Sequence, residues 1–191
     1  MKKAIISLAA VSILLSGGVM ASGANNDSSY ATLNFEGRVT SNLCQVSTAD
    51  TTTDIELGEV TVAQIKEATY KPQSFVVTLN NCDTTTESIS YTIADKNGSA
   101  GATAAYLEPE SNDTSAQGVG VYIEKSDGTP VTIGREESLA VQKDVSGALP
   151  QQSIALRAYI KDKGDADSVV GGSVNASATM TIKTAVAASA S

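Results

Sequence analysis

The stretch Ser74-Phe75-Val76-Val77-Thr78-Leu79-Asn80-Asn81-Cys82 decides the fold class. Phe75, Val77 and Leu79 share one parity, so an extended backbone places all three side chains on one face. Val76 and Thr78 take the opposite face, and β-branched and aromatic residues of this kind favour strands. The stretch therefore predicts a β-strand with one strongly apolar face, which delivers Cys82 at its end.

Further short alternating runs, bounded by turn residues, follow one another from Phe35 onward. A short run begins at Ile55 and Leu57. The longer runs occupy residues 89–93, 119–123, 131–133, 154–160 and 174–182. The chain is rich in small and β-branched residues, and only 4% of its residues are aromatic. This pattern is typical of an antiparallel sandwich, so the predicted fold class is all-β.

Two connections carry local signals. Residues 125–130 contain an Asp-Gly pair between two strand-like runs, which predicts a hairpin. Thr61 and Gln64 have the spacing of a capping box, and Val62 and Ile65 would bury one side of a short helical turn.

The first residues have the pattern of a secretory signal peptide. Met1-Lys2-Lys3 precede an apolar stretch from Ala4 to Leu15, and small residues follow. The apolar stretch is shorter than the roughly 20 residues that a membrane-spanning helix needs. We therefore predict a signal peptide over residues 1–21, cleaved after residue 21 or after residue 24. The rest is long enough for one domain.

Only two cysteines occur, Cys44 and Cys82, and export would take both to an oxidising compartment. We predict a disulfide between them. The bond would close a loop of roughly 38 residues. Closing such a loop stabilises the folded state by about 4 kcal/mol in the chain-entropy model.

The charge pattern limits the partners. The net charge is −8 and the isoelectric point is about 4.5. Such a chain repels phosphate backbones and anionic lipids, so we expect neither nucleic-acid binding nor membrane insertion.

The chain contains no histidine, so the usual catalytic triads and histidine metal sites cannot form. Two acidic segments remain as candidates, Glu136-Glu137 and residues 162–167. Adjacent glutamates diverge in an extended chain and are better explained as solvated charge. The second segment lacks the spacing of a calcium loop and is better explained as a polar hairpin tip. We expect no catalytic activity, no metal and no cofactor.

Six segments, in order, resemble those of type 1 fimbrial pilins of the chaperone-usher pathway. They are Leu33 to Val39 with Cys44 after it, Ile55 to Val60, Phe75 to Cys82, Gly118 to Ile123, Ile154 to Ile160, and Gly172 to Ile182. The resemblance covers nearly all of the chain after the signal peptide.

The resemblance implies an immunoglobulin-like sandwich, over residues 35–191, that lacks its last strand. It also implies that a periplasmic chaperone and an outer-membrane usher assemble the subunit, and that copies of the chain or related subunits polymerise into an extracellular fimbria used in adhesion. In this scheme residues 22–34 form an N-terminal extension that completes a neighbour's sandwich. Open sheet edges are satisfied in general by strand addition.

The residues suggest which side chains carry these contacts. In the extension, Ser29, Ala31 and Leu33 share a face and would form the donor strand; nine extended residues reach roughly 30 Å. In the last strand, Met180 and Ile182 would face inward at the edge that pairs with the chaperone. Family members usually end soon after this strand with an aromatic residue, whereas here the alternation continues to Val186.

Two other functions fit the sequence less well. A single-domain tip adhesin that binds a host receptor is the main alternative, since pilin-like domains can carry receptor sites in loops. A secreted hydrolase that uses carboxylates alone is the second.

Overall fold

The computed structural model describes residues 43–98 and 101–186. Within these residues the chain forms nine strands, one short α-helix, α1 (Val62–Lys66), and two 3-10 helices, Thr48–Asp50 and Ala166–Ser168. The strands are β1 (Gln45–Val46), β2 (Gln73–Asn80), β3 (Thr86–Asp95), β4 (Val119–Lys125), β5 (Glu136–Leu139), β6 (Lys143–Asp144), β7 (Gly147–Ala148), β8 (Gln152–Asp162) and β9 (Ala178–Val186). No helix among the described residues is long and apolar enough to cross a membrane.

The strands form two main antiparallel sheets. One sheet has four strands in the order β1-β2-β8-β4, and the other has three in the order β5-β3-β9. A small hairpin of β6 and β7 lies outside both sheets. The predicted all-β sandwich is therefore confirmed.

Alternation along the strands builds the core between the sheets. In β8, Ile154, Leu156, Ala158 and Ile160 are all buried, while Ala155 between them is exposed. In β2, Leu79 is buried and Val76 on the opposite face is 48% exposed. The period-two pattern read from the sequence thus fixes which face of each strand enters the core.

The buried amide of Gln152, at one end of the core, is satisfied within the fold. The Gln152 side chain is 1% exposed. Its Oε1 accepts from the Gln142 backbone N–H at 2.8 Å, and its Nε2 donates to the carbonyls of Gln142 and Leu149. This amide holds the connection around β6 and β7 against β8, as a buried polar group requires.

A row of tyrosines covers the outer face of the four-stranded sheet. The Tyr70 and Tyr159 rings stack with centroids 4.7 Å apart, and Tyr122 stacks on Tyr159 at 5.8 Å. Tyr106 continues the row beside Tyr122 at 5.4 Å. Because the ring faces contact one another, this outer surface is already packed by the chain's own side chains.

The structure corrects three sequence predictions. Ile55 and Leu57 do not lie in a strand, because the segment has no partner strand among the described residues and Gly58 turns it with a φ of 73°. The final strand starts at Ala178 rather than at residue 174.

The third correction concerns the predicted hairpin. The turn at residues 125–130 forms, but residues 131–133 do not form the expected second strand. The backbone N–H of Val131 donates to the carbonyl of Ile123, after which the chain diverges and residue 133 bridges to residue 104.

Helix α1 forms at the predicted capping box. The Thr61 hydroxyl accepts from the Gln64 N–H at 3.2 Å, and the Gln64 side chain accepts from the Thr61 N–H at 2.9 Å. Ile65 is buried in a second, smaller apolar cluster with Val119 and Ile160. The helix therefore anchors one connection to the four-stranded sheet.

Candidate functional site

An open groove with a volume of about 1140 Å³ runs into the core. Buried side chains from several strands lie at its base, among them Ile93 of β3, Val121 of β4 and Ala158 of β8. Phe75 and Val77 of β2 also line it. The groove is thus a gap in the main core and not a pocket on the surface.

Side chains around the groove are apolar but only half-buried. Ten partly buried hydrophobic residues pack against the main core cluster, and seven of them line the groove. These are Leu57, Phe75, Val77, Val174, Ala176, Met180 and Ile182. Since an apolar side chain gains most when it is fully covered, the incomplete burial is concentrated at one place. Among the described residues, no further layer of side chains covers the core along this groove.

Strand β9 supplies one wall and lies at the edge of its sheet. It pairs with β3 alone among the described strands, from Ala178 opposite Asp95 to Val186 opposite Thr86. Along its other edge, the backbone N–H and C=O groups form no ladder with any residue of 43–98 or 101–186, and an edge of this kind can accept a further strand.

Polar contacts on the outer face hold β9 in register with its neighbours. Lys183 of β9 donates to the Glu136 carboxylate on β5 at 2.7 Å, across β3, whose Ser90 hydroxyl also donates to Glu136. The Lys183 ammonium and the Ser90 hydroxyl lower the pKa of Glu136 below its usual value. Strand β9 is thus fixed from outside while its inner side chains remain half-covered.

Residues 50–60 line another part of the groove, and we call them the lip segment. Asp54, Glu56 and Glu59 are exposed here, and none of them takes part in the ion pairs formed among the described residues. Asp50 is engaged differently, because its carboxylate accepts from the backbone N–H of Thr78 on β2 at 2.8 Å. One border of an apolar groove is therefore acidic.

The structure places the residues singled out in the sequence as follows. Cys44 and Cys82 are buried and joined by a disulfide, which ties the start of β1 to the end of β2. Met180 and Ile182 are half-buried, pack on the main core and line the groove. The donor-strand candidates Ser29, Ala31 and Leu33, and the signal peptide, lie outside the described residues.

Sequence reasoning missed most of the groove lining. The sequence predicts that Val121 and Ala158 lie in strands but does not mark them as groove residues. It also predicts a strand that begins at Ile55 within the lip segment, and the structure does not form it. The available signal was the parity of the residues along each predicted strand. Parity alone does not show which inward-facing residues lack a covering layer of side chains. Within the described part of the chain, no group of three or more His, Cys, Asp or Glu residues is arranged to hold a metal ion.

Comparison with known proteins agrees with this geometry. A family model described as fimbrial protein matches residues 33–184. Fimbrial protein 987P of Escherichia coli is 46% identical over 190 residues, which is 97% of each chain.

Solved structures show the same fold at much lower identity. A chaperone-usher pilus structure matches with a TM-score of 0.60 and 16% identity, over 81% of this chain and 95% of that one. The P pilus rod subunit PapA matches with a TM-score of 0.55 and 16% identity, over 75% of this chain and 99% of its own. By sequence and by fold, the chain belongs to the fimbrial protein family and is a structural fimbrial subunit with an immunoglobulin-like pilin fold.

Proposed function

We propose that this chain polymerises without covalent links by donor-strand exchange, in which each subunit inserts an extended segment into the groove of its neighbour. The observation that carries the proposal is the open apolar groove beside the edge of β9 that has no partner strand among the described residues. An inserted strand satisfies both deficits at once, because its backbone continues the ladder and its alternate side chains cover the half-buried residues.

The proposed donor is residues 25–33 of the N-terminal extension, with Ser29, Ala31 and Leu33 facing the groove. The segment is too polar to form a core of its own. Leu33 and Ala31 would be its apolar anchors, and main-chain hydrogen bonds would supply much of the attachment.

Before polymerisation, the groove needs a different occupant, since the half-buried residues would otherwise promote aggregation. We propose that a periplasmic chaperone strand pairs with β9 and covers Met180 and Ile182, and that an outer-membrane usher then passes the subunit to the growing fibre. Residues 1–21 would direct the export that this route requires, with cleavage after residue 21 or 24. The subunit would have a structural role in an extracellular fimbria used in adhesion, with no catalytic step.

Two adjacent substitutions of opposite parity test the donor strand. Leu33→Asp should block attachment to the neighbouring subunit, because an unpaired carboxylate in an apolar groove costs several kcal/mol. Thr32→Asp is the matched control and should still polymerise, since residue 32 faces away from the apolar base of the groove in this assignment and exposed like charges cost at most about 1 kcal/mol. Deletion of residues 25–33 should have the effect of Leu33→Asp and leave a folded, chaperone-bound subunit. Fibre length by electron microscopy is the readout, and normal fibres from the deleted chain would disprove donor-strand exchange by this segment.

A further inference from the structure

The charged side chains that line the groove are strongly unbalanced. Four carboxylates do so, those of Asp50, Asp54, Glu56 and Glu59, against the single ammonium of Lys96. Asp50 already accepts a backbone hydrogen bond, which leaves the exposed carboxylates of Asp54, Glu56 and Glu59. We call these three residues the acidic lip.

The rest of the described chain offers little to neutralise the acidic lip. Most of its Lys and Arg side chains are already in ion pairs at other places, for example Lys66 with Asp167 and Arg157 with Glu124. Lys96 follows β3, where its backbone N–H donates to the carbonyl of Ser177 next to the start of β9. The lip therefore presents a negative potential to whatever enters the groove.

The chain's own N-terminal extension is poorly matched to that potential. Residues 22–34 contain no Lys or Arg and one acidic residue, Asp27. A strand with Lys or Arg on the side next to the lip would gain charge pairs that this extension cannot form.

We propose that the acidic lip makes the groove select a cationic strand of a partner protein over the extension of a second copy. The inference rests on the proposed strand-accepting groove and names its occupant before polymerisation: an extended segment with alternating apolar side chains and Lys or Arg beside the lip. Such a preference opposes premature pairing between subunits. Exchange for the extension, which has no Lys or Arg side chain, then gives up the electrostatic part of the binding.

Binding of three peptides to the refolded mature chain tests the selection. The first has the sequence of residues 22–34. The second carries Ser28→Lys and Thr32→Lys, at positions that face away from the groove, and the third carries Ser28→Gln and Thr32→Gln as the uncharged control. At about 20 mM salt the lysine peptide should bind roughly three- to thirtyfold more tightly than either of the others, because two exposed ion pairs are each worth a few tenths to 1 kcal/mol. At about 1 M salt the difference should fall below about twofold.

Matched protein variants locate the effect. Asp54→Asn with Glu56→Gln and Glu59→Gln should abolish the preference for the lysine peptide at low salt. The control variant makes the same change in charge at exposed residues that do not line the groove, Glu67→Gln with Glu110→Gln and Asp113→Asn, and should keep the preference. Equal binding of all peptides at low salt, or equal loss of preference in both variants, would overturn the acidic lip as a selector. If none of the peptides binds, the strand-accepting groove itself is wrong, and this inference fails with it.

Discussion

Two parts of the same core differ in how completely they are covered. In the closed part, Ile89, Ile133 and Ile154 are each 1% exposed. In the open part, at the groove, Met180 and Ile182 are of the same chemical kind but remain half-buried. The difference shows that residue type does not determine burial here. Burial is determined by whether a layer of the fold lies over the side chain, and along β9 the part of the chain that the structure describes does not supply one.

The largest expected effect is on the free energy of unfolding, and it compares one substitution in the closed part of the core with one in the open part. Ile154→Ala should lower the free energy of unfolding by about 2–5 kcal/mol, since it leaves a cavity in a closed core. Ile182→Ala should cost about 1 kcal/mol or less in the chain with an empty groove, because Ile182 buries less apolar surface there. Urea unfolding of both purified variants, under non-reducing conditions that keep the disulfide between Cys44 and Cys82, measures the two values.

Addition of the peptide with the sequence of residues 22–34 sharpens this contrast. A strand in the groove would cover Ile182, so the cost of Ile182→Ala should rise towards that of Ile154→Ala, while the cost of Ile154→Ala should stay unchanged. Equal costs for the two substitutions in the peptide-free chain would mean that the groove is not open in solution.

A smaller effect appears at alkaline pH in the covered part of the core. Burial of Tyr91, with the nearby charges of Glu137 and Asp127, raises the pKa of its phenol to about 12. The unfolded chain ionises this group near pH 10, so between about pH 10 and 12 the folded state binds more protons and stability falls as the pH rises. The loss should approach about 2 kcal/mol from this one group.

The variant Tyr91→Phe isolates that contribution. It should lose less stability than the unsubstituted chain between about pH 10 and 12, because its unfolded state has one phenol fewer to ionise. Tyr106→Phe, on the outer surface, is the control and should follow the unsubstituted chain closely. Identical pH profiles for all three chains would show that Tyr91 is accessible to solvent and that this part of the core opens.

Much of the fold was predictable because its long strands carry a clear period of two. In β2 and β8 most inward residues are branched or aromatic, so the parity of these residues indicates the core face. Strands β1, β6 and β7 have two residues each, too few to show any period. The strand predicted from Ile55 in the lip segment does not form. Ile55 and Leu57 alternate as in a strand, but strand pairing depends on a partner elsewhere in the chain.

The groove was harder to predict than the strands that form it. The alternation of Met180 and Ile182 indicated their inward side, and the structure places both on the core. Their half-burial follows because no described strand lies beyond β9, and no local sequence pattern encodes that property. The family resemblance supplied that expectation, and the incomplete burial around β9 gives it a physical basis.

The smallest expected effect concerns α1, whose Ile65 and Val62 line the groove from the second apolar cluster. Thr61→Ala removes the hydroxyl that accepts from the Gln64 N–H, and loss of such a cap costs about 1 kcal/mol. In a helix of only five residues this cost should appear as local opening. The Gln64 amide should then exchange with solvent roughly five- to tenfold faster, while amides of β8 keep their protection. In the control Thr61→Ser, which retains the hydroxyl, the Gln64 amide should exchange at nearly the original rate. If Thr61→Ala also speeds exchange throughout β8, the helix is part of the global folding unit, and the open part of the core is as cooperative as the closed part.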